Sequence, residues 1–147
     1  QGLMMFQYQL SNNQLSNNLL KFYVIFHYHP NKENEHVYLQ ATLKLLQLAN
    51  KPDALFTSNS LLAAGALRAI QEKKLAIPEQ IALTTFDDTS WARLVTPPLT
   101  VIDQPAYEIG QTATELLMQR IDDPSRSTRE ITLNGKLIIR QSSTFHS

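Results

Sequence analysis

Two carboxylates at the end of an apolar run mark where this chain could do chemistry. In Ile81-Ala82-Leu83-Thr84-Thr85-Phe86-Asp87-Asp88-Thr89-Ser90-Trp91, the apolar and β-branched residues from Ile81 to Phe86 suit a strand covered on both faces. In open α/β sheets ligands bind beyond the carboxyl ends of such strands, so Asp87 is expected at a ligand crevice. Asp88, Thr89 or Ser90 could instead cap the short helix that follows. A carboxylate pair also raises acid–base catalysis. Adjacent strand residues point to opposite faces, however, which is poor geometry for two groups sharing one substrate, and no nucleophile motif accompanies them. No catalytic residue is therefore assigned. A second cluster, His27, His29 and His36 near Glu33 and Glu35, contains an H-x-H pair that a strand would turn to one face, as a metal site requires. With no supporting hydrogen-bonding pattern around them, these are polar residues at a crevice or surface, and neither a metal nor a cofactor is expected.

The chain that must position these groups has 147 residues, enough for one buried core or for a large part of a two-lobed domain. Thirteen basic and thirteen acidic side chains cancel, and no Lys/Arg run stands out, so this chain should not bind DNA by itself. No apolar run reaches the roughly 18 residues of a membrane span, and the N-terminus lacks the order of a signal peptide. The absence of cysteine excludes disulfides and thiolate metal sites and fits a cytoplasmic protein.

Taken in order, QGLMMFQY at 1–8 is apolar enough for a helix, although it has no N-cap. The doubled QLSNN of 9–18 favours turns. KFYVIFHY at 21–28 is dense in aromatic and β-branched residues and predicts a strand. From Glu35 to Asn50 the spacing of Leu39, Leu43 and Leu46 predicts a helix on a sheet, stopped at Lys51-Pro52. Residues 53–57 form a short strand, and Ser58-Asn59-Ser60 supply capping chemistry to a helix from Leu61 to Lys74. With the strand at 81–86 this makes a βαβ unit, which brings Asn59 and Asp87 to the carboxyl edges of two parallel strands. Pro97-Pro98 then lead into a strand at Leu99–Ile102, and Pro105 opens a helix whose apolar face is Ile109, Ala113, Leu116, Leu117 and Ile121. Residues 130–133 and 136–140, around Asn134-Gly135, carry the strongest hairpin signal in the chain.

Several of these stretches together resemble the LacI/GalR family of bacterial transcription regulators. PDALFTSNSLLAAGAL, AIPEQIALTTFDDT, PPLTVIDQPAYEIGQTATELL and LIIRQSS are similar, in order and spacing across residues 52–143, to that family's effector-binding core. Residues 31–51 fit more loosely, and Gln1-Gly2 is similar to the end of the family's R-x-x-G motif. The resemblance implies an α/β fold, a three-layer lobe of the periplasmic-binding-protein type (type I) with a mostly parallel sheet, truncated at its N-terminus. Residues 1–103 and 132–147 would form most of the C-terminal lobe, and 104–131 would cross to an N-terminal lobe that the sequence lacks.

By the same resemblance, Asn59, Asp87 and Gln104 match the family's effector-binding positions, with Ser60 where an aspartate is usual and Ala106 where an aromatic residue is sometimes found. Amides and carboxylates of this kind hold a neutral polyol by paired hydrogen bonds, commonly beside an aromatic ring. Trp91 could be that ring, or a hydrophobic plug under Pro97-Pro98. The implied function is a sugar-responsive repressor that meets DNA only through a helix-turn-helix head outside this sequence, with a transport solute-binding protein as the alternative. A homodimer is implied too, with Leu61, Ala64 and Val95 at the subunit contact, while Leu67 is better placed to pack on the sheet. In that frame the partner of the helix after Pro105 belongs to the other lobe. An isolated chain should then either pair that face with a second copy or leave it poorly ordered.

Overall fold

The computed structural model describes the backbone of residues 3–10, 20–27 and 35–144, and the side chains of 35–144. Its elements are β1 (Leu3–Leu10), β2 (Leu20–His27), α1 (Glu35–Leu46), β3 (Ala54–Thr57), α2 (Ser60–Glu72), β4 (Ala82–Phe86), β5 (Thr100–Asp103), α3 (Ala106–Asp122) and β6 (Lys136–Ile138), with single 3₁₀ turns at Ser90–Arg93 and Gln141–Ser143. The six strands lie in chain order in one sheet. Strands β2 to β5 run parallel, and β1 and β6 close the two edges antiparallel. This is the mostly parallel α/β architecture expected.

The core follows from patterning. Helix α1 buries Tyr38, Leu39, Thr42 and Leu45, a single stripe at helical spacing. Helix α2 buries Leu62, Ala63, Gly65, Ala66, Leu67, Ala69 and Ile70, and its small residues let α1 approach closely. At Gly65 an added Cβ would stand 2.6 Å from Tyr38 Cβ and 2.9 Å from the Leu39 backbone nitrogen, so glycine here is a condition of helix contact. Leu55, Ile81, Leu83, Leu99 and Val101 complete the core from the sheet side, and Leu67 joins them. Val95 is half-buried against the same cluster.

Two expectations need correction. Residues 3–10 form a strand where a helix was expected over 1–8. Their apolarity is shared by both faces at period two, and the eight-position antiparallel register from Leu3↔His27 to Leu10↔Leu20 supplies the backbone hydrogen bonds that an uncapped helix would have lacked. The Asn134-Gly135 hairpin does not form: residues 130–133 are not a strand, and Lys136–Ile138 pairs with β5 from Val101↔Ile138 to Asp103↔Lys136. A two-stranded hairpin with no buried face is marginal, whereas β5 offers the ordered edge of a covered sheet. The segment 11–19 of the doubled motif lies outside the described residues, as do His29, Glu33 and the side chain of His27.

Helix α3 has no buried residue. Ile109, Leu117 and Ile121 of its expected apolar face are exposed, and so are Tyr107 and Met118. A groove between α3 and the extended chain is lined by Ile109, Ala113, Leu116, Ile131 and Leu133. Among the described residues, nothing covers the apolar face of α3.

Candidate ligand crevice

Parallel pairing puts the carboxyl ends of β3, β4 and β5 along one edge of the sheet. Thr57 pairs with Thr85, so Asn59 and Asp87, each two residues further on, are level with one another. Phe86 pairs with Ile102, which brings Gln104 to the same edge one strand over.

Asn59 is the N-cap of α2. Its backbone is extended, and its side-chain oxygen accepts from the Leu62 N–H at 2.8 Å. The Thr85 hydroxyl donates to its main-chain carbonyl at 3.3 Å, tying the cap to the neighbouring strand. With Oδ1 engaged by the helix, the side-chain NH₂ is what Asn59 can offer a ligand.

Asp87 has φ of 76°, the left-handed region that aspartate enters more readily than most residues. Its N–H donates to the Ile102 carbonyl at 2.9 Å, which extends the β4–β5 pairing by one bond. Its Oδ1 accepts from the Gln104 Nε2. Thus Asp87 and Gln104 touch, and the half-exposed Asp87 with the exposed Gln104 offers acceptors and donors side by side at the edge.

Asp88 goes the other way. Its side chain is only 2% exposed, and Oδ2 accepts from Arg140 at 2.8 Å and from Arg93 at 2.7 and 3.1 Å. Arg140 also donates to the Leu99 carbonyl at 2.9 Å. The Arg140 hydrogen bond, followed by that of Arg93, holds the Asp88 carboxyl below its ordinary value against the opposing effect of burial. Asp88 is therefore an ion-pair centre; the cap of the following 3₁₀ turn falls to Thr89, which makes no side-chain capping bond. Trp91 is half-buried and packs against the hydrophobic core.

Arg140 and Ser142 were not anticipated. The buried Ser142 hydroxyl accepts from the Thr100 N–H at 2.8 Å and donates to the Leu83 carbonyl at 2.5 Å, bridging β4 and β5 just before their direct pairing begins. The only sequence trace of either residue was the similarity of LIIRQSS to the family's core. The proposed subunit-contact residues divide: Leu61 is exposed at 36%, whereas Ala64 and Val95 are half-buried.

Residues 12–143 match the family model of a periplasmic binding protein-like domain. Among curated proteins, the chain is 39% identical over 92 residues to the HTH-type transcriptional regulator GalR of Lacticaseibacillus casei, covering 63% of this chain and 28% of that one. It is 38% identical over 98 residues to the ribose operon repressor of Haemophilus influenzae, covering 67% and 30%. Among solved structures, a LacI family transcriptional regulator from Enterococcus faecium with bound ribose superposes with TM-score 0.65 at 32% identity, over 75% of this chain and 40% of that one. The chain thus spans under a third of the length of these curated relatives. With 132 of its residues inside the family model, the chain belongs to the periplasmic binding protein-like domain family, and the relatives it is similar to in sequence and in structure are transcriptional regulators.

Proposed function

We propose that this chain is most of the C-terminal lobe of the effector core of a sugar-responsive repressor, with residues 1–103 and 132–147 in the lobe and 104–131 crossing to a second lobe. The observation that carries the reading is the juxtaposition of Asp87, Gln104 and Asn59 along one strand edge, in a family where a structural neighbour holds ribose. A carboxylate paired with an amide can accept from one sugar hydroxyl and donate to the next, and nothing in this chemistry needs a metal, a cofactor or a catalytic step. The crossing is supported by α3, whose bare apolar face is that of a helix built to be covered from elsewhere. In the whole protein, binding would be relayed to a helix-turn-helix head that contacts DNA in the cytoplasm. A homodimer would form through the face carrying Leu61, Ala64 and Val95.

The test is calorimetric titration of D-ribose and a panel of other monosaccharides into the intact two-lobed protein, wild type and Asp87→Ala. A hydrogen bond to a charged acceptor is worth about 1.5–3 kcal/mol, so the variant should bind the preferred sugar roughly 10- to 150-fold more weakly while unfolding at a similar temperature. Equal affinities in the two proteins overturn the assignment of Asp87. Light scattering that gives a monomer at high concentration overturns the dimer.

A further inference from the structure

The two aspartates at the end of β4 differ in what holds them. Asp87 is half-exposed in a left-handed backbone conformation that is unfavourable for a non-glycine residue, and such conformations persist where the surroundings over-determine them. On its amino side the chain is fixed by the Asp87 N–H to Ile102 bond. On its carboxyl side the next residue is Asp88, whose buried carboxylate is gripped by two arginines through one oxygen. Arg93 is 63% exposed, so its arm of the pair is weak. Arg140 is 14% exposed and is itself anchored on the Leu99 carbonyl, which makes it the arm that fixes position. A buried ion pair is a poor source of net stability, since an apolar replacement of the same shape often does as well; what it can supply is a single geometry.

We propose that Asp88, held by Arg140, is the positioning residue of the crevice: it locks the left-handed turn at Asp87 and so aims the Asp87 carboxylate at Gln104. In this role neither residue needs to touch the ligand. The locking is a property of this chain alone; only its consequence for affinity rests on the sugar-binding reading above.

The experiment is nitrogen-15 NMR of the full chain, following the Gln104 side-chain NH₂ as a reporter of its bond to Asp87, together with thermal unfolding as a control. In Asp88→Asn at temperatures well below its midpoint, the Gln104 signals should move toward the position of a free amide. Arg93→Gln should leave them in place. In the intact protein, Asp88→Asn should also weaken binding of D-ribose, or of whichever panel sugar the wild type binds, by about tenfold, the scale on which orienting partners act at other sites. A folded Asp88→Asn chain with unmoved Gln104 signals makes Asp88 a structural residue only and overturns the proposal. If Asp88→Asn does not fold, Arg140→Lys decides in the same way, because it keeps a cation beside Asp88 but loses the fork that fixes it. A wild-type protein that binds no sugar in the panel ends the functional reading and leaves the Gln104 result standing by itself.

Discussion

Helices α2 and α3 are both amphipathic, yet α2 buries seven residues and α3 buries none. The difference is in the partner, since α2 meets α1 at Gly65 and packs on β3 and β4, while the apolar side of α3 looks onto an open groove. A hydrophobic stripe states that cover is required; it does not state which part of a protein provides it.

The comparison is broken most severely at Gly65. Gly65→Ala puts a methyl group against both a side chain and the backbone of α1, so the helices must separate, and about 3 kcal/mol should be lost in urea unfolding. A smaller loss would show that α1 can shift freely. Next is Ser142→Ala on the covered side, which strands the Thr100 N–H and the Leu83 carbonyl in the interior; about 2 kcal/mol should go, read from the same denaturation curves.

Acid gives a graded test of the same side. The Asp88 carboxyl is lowered in the folded chain, so the folded state holds its proton less tightly than the unfolded state. The stability this contributes is fully present above the unfolded value, near 3.8, and is lost as pH falls through the lower folded value. Midpoints measured from pH 6 downward should begin to fall near pH 4, and Asp88→Asn should flatten that part of the profile. An unchanged slope in the variant would assign acid sensitivity to other carboxylates.

The smallest effect should come from α3. Leu117, 59% exposed, should tolerate Leu117→Ala with a change within about 0.5 kcal/mol, whereas Leu62→Ala on α2, 1% exposed, should cost about 3 kcal/mol. Equal costs would mean that α3 is covered in solution after all.

What was legible in the sequence was local. Ser58-Asn59-Ser60 before an apolar helical stripe signalled the cap that Asn59 forms, and a β-branched run ending in acid located the crevice edge. The left-handed backbone at Asp87 was not legible, because aspartate is no marker for it as glycine would be. Nor was the partner of Asp88, since Arg140 lies 52 residues away and no spacing rule links two side chains brought together by tertiary contact. The two misread elements share a cause. QGLMMFQY was read as a helix from its own composition, and the strand at 136–140 was paired with 130–133 from the Asn134-Gly135 turn, but the pairing in each case was decided by which strand edge lay beside it.

The bridge made by Ser142 also orders events in time. Leu83 and Ser142 are 59 positions apart, and ribosomes add roughly 5–20 residues per second, so about 3–12 s pass between synthesis of the strand and synthesis of the hydroxyl that joins it to its neighbour. Arg140 arrives in the same late segment. In the later part of that interval, once β5 has been made, the nascent chain carries β4 and β5 with their seam unstitched and the Asp88 carboxylate without its main counter-charge, a form open to capture by a chaperone or to loss by aggregation.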